Sequence, residues 1–486
     1  MLPRKTLAAV ALLVVAGIAG FASYQAYLLA PPKCGDLGLG HPGTYQAPKI
    51  VFGGVTEYCL ANPSRFANGA VAAPDGSVWF GESSVPGVAH LFKNGTVVEI
   101  PWPQATHDLN GSYKTGIWGL ALWEGRIWGA DFDGSSIIGM DYRGRLPFRQ
   151  VNLTSGLFPY GLTVGPDGGL WFTTLSDVPH IGRVDPNMTV TMYALSSPPN
   201  QAAVELQFSQ SGLGYYVGLD PYNSSDTGLY SFLPGTGLVI NSTQLGAGTT
   251  LYEPDSLSLG AGSVWVAQHG TSNVAQFNLS SGGWTFWPTS RVNFSDVTLP
   301  YFVRAQGGTV WFNEHYANRI AKLDAVAGTL TEFSESDPQV SSLDKIQNDL
   351  TIALSADGLW FTSATGNYVG FVDGNATPGF SVVASTAWGN HVTLPAGGSA
   401  ELNVTVSGTW EKGLHVSVSD NENRNSTPHL ISIVPEKTTV AAGSGVERLR
   451  FAVTISDATV PGNYIVGLAF SDGLVSQTAY VSISVG

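Results

Sequence analysis

The stretch GLTVGPDGGLWFTT at 161–174, followed by HIGRVD at 180–185, decides how this chain folds. GLTV suits a short strand. Pro166-Asp167-Gly168 supplies a tight turn, because glycine tolerates positive φ, and LWFTT reads as the returning strand. HIGRVD then reads as a third strand. The phrase recurs as AVAAPDGSVWFGE at 70–82, GLALWEGRIWGAD at 119–131, LQFSQSGLGYYVG at 206–218, LSLGAGSVWVAQ at 257–268, FVRAQGGTVWFNE at 302–314 and LTIALSADGLWFTS at 350–363. Its landmark aromatics are Trp79, Trp128, Trp171, Tyr216, Trp265, Trp311 and Trp360, spaced roughly 43 to 49 residues apart. Such a period belongs to propellers or helical arrays, and the units carry no helical apolar periodicity.

The third strand returns as NVAQFN at 273–278 and RIAKLD at 319–324, and a fourth follows in GTVVEIPWP at 95–103 and GTLTEFSES at 328–336. The last unit, ending in YVGFVDG at 368–374, has no fourth strand after it. GGVTEYCL at 53–60 matches the fourth-strand phrase and has no unit before it. The expectation is a seven-bladed β-propeller spanning 32–374, closed by an N-terminal strand that removes an open sheet edge.

From about Ala376 the pattern changes to seven short strand-like runs separated by turn signals, SVVAST, ELNVTVSG, LHVSVS, LISIVP, RLRFAVTIS, NYIVGLAFS and AYVSISV. That count suits an Ig-like β-sandwich over 375–486, a module of the kind that acts as a spacer or adhesion unit. The fold class expected is therefore all-β apart from the N-terminus. There, Arg4 and Lys5 precede an uncharged run from Thr6 to Ala30. The run is long enough for a transmembrane helix within 1–31, and the positive flank places the remainder outside the cell. A cleaved signal peptide, giving a secreted protein, is the other reading.

Composition agrees with export and narrows the partners. The chain has 486 residues, only 12% charged, with 59 glycines and a net charge of −14. No Lys/Arg cluster offers itself to phosphates, so nucleic acid is excluded as a partner. The only two cysteines, Cys34 and Cys59, flank the first strand outside the membrane segment. In an oxidising compartment they are expected to pair, and closing that loop contributes about 3 kcal/mol; two free thiols is the alternative. Glycosylation acceptors of the Asn-x-Ser/Thr type occur at Asn94, Asn110, Asn152, Asn187, Asn223, Asn241, Asn278, Asn293, Asn375, Asn403 and Asn425.

The repeated phrase with HIGRVD, and WFNEHYANRIAKLD with LTEF, resembles the blades of the virginiamycin B lyase (streptogramin lyase) family over roughly 53–374. The resemblance implies a propeller and, if the chain is an enzyme, a carbon–oxygen lyase acting on a lactone with Mg²⁺. In that family two His and one Glu act at positions that precede inner strands. Here those positions read Pro159-Tyr160-Gly161, Glu253-Pro254-Asp255 and Pro300-Tyr301-Phe302, so only Glu253 has a family counterpart.

Propeller geometry sends the residues before each inner strand, and those after each Trp-Phe strand, to one rim. The first set is Asn68, Trp118, Tyr160, Asp255, Tyr301 and Asp349; the second is Glu82, Asp131, Asp133, His269, Glu314 and His315. Trp118, Tyr160 and Tyr301 suit stacking on a sugar or another flat ligand, with Asp255 and His269 as hydrogen-bonding partners. Glu253, Glu314 and His315 are the candidates for general acid/base or metal roles, with Mg²⁺ or Ca²⁺ as the ion. Glu82 and Glu314 also read as structural, since a Glu after Trp-Phe belongs to the repeat. Asp131-Phe132-Asp133-Gly134 begins like a calcium loop but lacks the later ligands. The function expected is a membrane-anchored surface protein binding a small molecule, a glycan or a cell-surface protein in its funnel. The alternative is a lyase or hydrolase acting on a cyclic ester or glycan.

Overall fold

Each repeat of the phrase folds into an antiparallel sheet that starts with the short apolar strand and crosses the Asp-Gly turn into the Trp-Phe strand. The computed structural model describes residues 34, 43–61, 67–82, 87–101, 116–141, 148–176, 180–195, 202–220, 227–235, 239–291, 297–336, 349–385, 390–419 and 430–486. The anchor expected at 1–31 lies outside them, as do Asn110, Asn223, Asn293 and Asn425. Among the described residues the chain is all-β, and no helix is long and apolar enough to cross a membrane.

The first sheet runs Ala67–Ala72, Val78–Glu82, Gly87–Leu91, Thr96–Pro101, and the second Ile117–Trp123, Arg126–Asp131, Ser136–Asp141, Arg149–Asn152. The third runs Pro159–Val164, Leu170–Thr174, His180–Val184, Val190–Leu195, and the fourth Ala202–Phe208, Gly214–Leu219, Gly228–Phe232, Ser242–Leu245. Pro254–Gly260, Ser263–Gln268, Asn273–Asn278 and Trp284–Pro288 make the fifth, and Pro300–Gln306, Thr309–Glu314, Arg319–Asp324 and Thr329–Ser334 begin the sixth. The seventh holds Asp349–Ser355, Gly358–Ser363 and Tyr368–Asp373, and its fourth place is taken by Val55–Cys59, with Val55 opposite Val372 and Cys59 opposite Tyr368. The first strand of each sheet packs on the first strand of the next, and Asp349–Ser355 packs back on Ala67–Ala72. This is the arrangement of a β-propeller.

Burial follows the sequence pattern. All seven landmark aromatics are buried, Trp128, Tyr216 and Trp360 completely. The third strand carries a small residue where the second carries Phe. Gly182 lies opposite Phe172, and Gly370 opposite Phe361. A Cβ at either glycine would stand 2.0 Å from the ring's Cζ, so the flat rings cover bare backbone. Ala89 and Ala321 occupy the same place opposite Phe80 and Phe312.

The C-terminal segment forms two sheets that face each other across one core containing Leu402, Trp410, Phe451, Leu468 and Phe470. One sheet orders Phe380–Ser385, Ser399–Trp410, Gly443–Ile455 and Ile431–Pro435. The other does not stand apart as a spacer. Its strand Val475–Val485 pairs along Thr329–Ser334, so the sixth sheet continues through Gly462–Ser471 and Leu414–Ser419 to Thr439–Val440 as one nine-stranded sheet, with His391–Leu394 parallel to Val475–Val485. Tyr480 packs edge-on against Trp287 and donates its hydroxyl to Pro288 O at 2.5 Å. The change in pattern near 375 is thus a boundary of sequence, not of hydrogen bonding.

Cys34 and Cys59 are joined in a disulfide, and Asn367 Nδ2 donates to the carbonyls of both Cys34 and Leu60 at 3.2 Å. The cross-link therefore holds the chain N-terminal to Val55–Cys59 against the seventh sheet. Replacing both cysteines by serine should lower unfolding stability by about 3 kcal/mol for a loop of this length, measured by denaturant titration. No loss in the double variant would show that the ladder alone fixes the closure.

Candidate functional site

The register at the start of every first strand is broken. A bulge lies between Asn68 and Ala70, Ile117 and Leu120, Pro159 and Leu162, Ala203 and Leu206, Pro254 and Ser256, Pro300 and Val303, and Asp349 and Ile352. A bulge leaves a residue out of the ladder and re-aims its side chain. Trp118, Tyr160, Asp255 and Tyr301 all sit in these bulges.

Backbone clasps hold the bulges in place. Phe158, Glu253 and Leu299, each just before a proline, have φ of 47°, 47° and 54°. This left-handed region costs a non-glycine residue roughly 1–2 kcal/mol. The turned carbonyls accept N–H groups from the residues that leave the second strands: Leu175 to Phe158 O, His269 to Glu253 O, and His315 to Leu299 O, at 2.9–3.0 Å. The second strand also feeds the bulge through the residue after Trp-Phe. Thr173 Oγ1 accepts Gly161 N–H at 2.9 Å and donates to Val204 O at 2.7 Å; Asn313 Oδ1 accepts Phe302 N–H at 2.7 Å; Thr362 Oγ1 accepts Thr351 N–H at 3.2 Å.

These devices bring together side chains from sheets that are not neighbours. The hydroxyls of Tyr160, in the third sheet, and Tyr301, in the sixth, meet at 3.1 Å. Trp118 stacks on Tyr160 with ring centroids 5.2 Å apart, and Phe132 and Phe158 extend the aromatic surface. Both tyrosines are only 6% exposed, so together they form a floor. Beside it, His269 Nε2 lies 3.1 Å from His315 Nδ1, and His269 Nδ1 lies 3.4 Å from Asp255 Oδ2 and 3.9 Å from Glu253 Oε2. His269 also packs on Tyr301 at 4.8 Å.

Burial sets the charge of this group. Desolvation, with His315 adding to it, pushes the His269 imidazole down to about 3. Desolvation, with Glu253 adding to it, pushes the Asp255 carboxyl well up. Burial likewise raises both tyrosines. Both shifts favour the uncharged forms of His269 and Asp255, and Glu253, whose side chain is 53% exposed, is the solvent-facing member of the group.

Glu314, the residue before His315, makes a different set of contacts. Its side chain is fully buried, 3.1 Å from Arg319 Nε, and Arg319 also faces Glu332 at 3.4 Å. Ser290 completes the cluster, donating its N–H to Glu332 and accepting from Arg319. Desolvation raises the Glu314 carboxyl against the pull of Arg319. Glu314, expected as an acid/base candidate, thus shares the Arg319 guanidinium with Glu332 inside the sixth sheet, and Ser290, just past the last strand of the fifth, ties this cluster to that sheet. The Asp131 loop is also structural, since Asp131 caps Gly134 N–H and Ser136 Oγ at 3.1 Å. No group of three or more His, Cys, Asp and Glu among the described residues is arranged to hold a metal ion.

The sequence reading missed Phe132, Phe158 and Glu205. Phe158 had a signal, as the residue before Pro159-Tyr160. Glu205 sits in the fourth bulge, accepts Ser256 Oγ–H and Leu257 N–H, and pairs with Arg304 Nη2 at 2.8 Å. Among the sequon residues, Asn94, Asn152, Asn187, Asn241, Asn375 and Asn403 are exposed and Asn278 is half-buried.

Two outcomes test this account. Thr173→Val keeps shape but strands Gly161 N–H and Val204 O, and should cost about 1–3 kcal/mol by denaturant titration; no loss would remove the clasp. For His269, the folded imidazole titrates near 3 and an unfolded one near 6.5, so folding excludes a proton that the unfolded chain accepts. Stability therefore falls as pH drops below about 6.5, by about 2 kcal/mol at pH 5 for this one group. His269→Asn should flatten that part of the pH–stability curve, and an unchanged slope would place the effect elsewhere.

No protein-family model matches this sequence, and no curated protein sequence does. Similar solved structures include one described as a streptogramin B lyase structure, at 19% identity, covering 65% of this chain and 96% of that one, with a TM-score of 0.48. YCF48 bound to D1 peptide is similar at 14% identity over 68% of this chain and 100% of that one, also at 0.48. BamB from Moraxella catarrhalis is similar at 12% identity over 68% and 93%, at 0.35.

Proposed function

We propose that this chain is an extracytoplasmic, membrane-anchored binding protein whose seven-bladed propeller holds a small ligand in a blind cup at the centre of its bulged face. The reading takes 1–31 as the anchor and 375–486 as an Ig-like sandwich docked on the sixth blade. The cyclic packing of seven first strands supports the ring, and the apolar run with its basic flank supports the anchor.

One observation carries the binding reading: the Tyr160–Tyr301 hydrogen bond between non-adjacent sheets, with Trp118 stacked on it. It closes the centre of the ring, so the funnel is a cup and not a channel. A cup with an aromatic side (Trp118, Phe132, Phe158) and a polar wall (Glu253, Asp255, His269) suits a flat, hydroxylated molecule such as a sugar. The apolar face stacks and the hydroxyls donate to the carboxylate oxygens.

A second reading is favoured by the Asp255–His269–His315 chain, whose spacing is that of an acid/base relay. It ranks lower because an imidazole held near 3 is a weak base at neutral pH.

The test is a thermal-shift and calorimetric screen of the full chain against neutral mono- and disaccharides at millimolar concentration. The expected result is a saturable rise in Tm, lost in Trp118→Ala and weakened roughly tenfold in Glu253→Gln, one charge-assisted hydrogen bond being worth that much. Absence of any such ligand overturns the reading. Turnover of a streptogramin-type lactone, with or without Mg²⁺, would replace it with the catalytic one.

A further inference from the structure

The opposite ends of the sheets, where the first strand turns into the second, are tied together at two junctions. Trp360 Nε1 donates to Gly76 O at 3.0 Å, and Trp123 Nε1 to Gly168 O at 2.8 Å, each indole reaching the turn of the next sheet. Between the first and second sheets a cavity of about 380 Å³ opens, lined by Asp75, Trp79, His90, Trp123, Glu124 and Arg126. It lies at the far end of the strands from the bulges and shares no residue with the cup.

Arg126 is the feature that needs an explanation. Glu124 (φ 49°) and Gly125 (φ 71°) form a two-residue turn that fixes Arg126 at the start of the second strand, opposite Trp123. The residue is 7% exposed, its Nε is buried without a partner, and no hydrogen bond or ion pair joins its guanidinium to the described residues. The other buried arginine among the described residues, Arg319, is paired with Glu314 and Glu332. A buried guanidinium is stable only with an acceptor, and its fork matches a carboxylate in two parallel bonds.

The rest of the lining describes the other end of the ligand. Ser77 Oγ donates to Asp75 Oδ1, which that bond and its backbone partners hold ionised. Ser77 Oγ therefore accepts from His90 Nε2–H at 2.6 Å. Burial keeps His90 neutral, down to about 4, so Nδ1 remains as an acceptor. Trp79 stacks on the ring at 4.0 Å and fixes its plane. Asp75, Glu124 and His90 thus offer acceptors only, and two carboxylates against one guanidinium disfavour a dianion.

We propose that this cavity is a second binding site, for a small monoanionic carboxylate whose far side carries hydrogen-bond donors. The carboxylate lies on Arg126, and hydroxyl or ammonium groups donate to Asp75, Glu124 and His90. A hydroxylated sugar acid and an amino acid share this chemistry.

Isothermal titration of the full chain with glucuronate, 4-aminobutyrate, glucose and inorganic phosphate tests it. Binding of glucuronate, 4-aminobutyrate or both is expected, unaffected by Glu253→Gln, with the Arg126-dependent binding of glucose and phosphate at least tenfold weaker. Which of the two binds identifies the donors. Arg126→Met should abolish that binding yet leave the ligand-free Tm unchanged or higher, since it removes an unpaired buried charge; Glu124→Gln, at an exposed turn, should weaken it. Glu253→Gln, in the cup, should leave it unchanged, which keeps this test separate from that of the cup. Glucose or phosphate binding as tightly as the carboxylates and lost in Arg126→Met, no Arg126-dependent binding by either carboxylate, or a fall in ligand-free Tm for Arg126→Met would overturn the proposal.

Discussion

The ladder between Val55–Cys59 and Tyr368–Asp373 joins the third described strand of the chain to the last strand of its final repeat. Such a contact is entropically expensive to form, because the intervening chain must close on itself. Its return is the loss of two open sheet edges. The disulfide and Asn367 reinforce the same seam, and the indole of Trp360 ties the seventh sheet on to the first. If the seam opened, the first strands would splay. Tyr160 and Tyr301 come from the third and sixth sheets and meet only while all the first strands press inward, so the cup's floor depends on a contact made at the rim of another sheet.

Within each sheet the same logic operates on a smaller scale. Left-handed residues before Pro159, Pro254 and Pro300 cost conformational energy, and the carbonyls they turn inward repay it by binding the residues that follow the second strand. That exchange brings His269 and His315 beside bulges carrying Asp255 and Tyr301. The repeat phrase thus has a double meaning: Trp and Phe fill the spaces between sheets, and the Thr or Asn that follows satisfies the broken ladder. Glu205, Glu314 and Glu332 each face an arginine: Glu205 half-buried against Arg304, the other two buried against Arg319.

The outer edges are managed just as directly. Thr44–Gln46, Lys49–Phe52 and Val239–Ile240 cover three of them. The fourth is covered by Val475–Val485, which also carries the C-terminal sandwich. A strand buried on both faces cannot act as a flexible tether, so the sandwich moves with the sixth sheet. The two ends of the sheets differ, one closed by aromatics and one opened by a gap between turns.

What the sequence determined by itself is what repeats or is local. The period, the Asp-Gly turns, the buried Trp-Phe pairs and the missing fourth strand supplied by GGVTEYCL are all readable, because a strand's partner is fixed by alternation and turn length. Trp118, Tyr160, Asp255 and Tyr301 could be placed on one rim for the same reason. The tertiary structure alone decided which rim residues touch, since that depends on how far each sheet is rotated against its neighbour. It set Glu314 against Arg319, linked His269 to His315, docked the sandwich on Thr329–Ser334 and left Arg126 buried without an acceptor among the described residues. None of these follows from spacing, because each is made between residues whose separation in the chain carries no period.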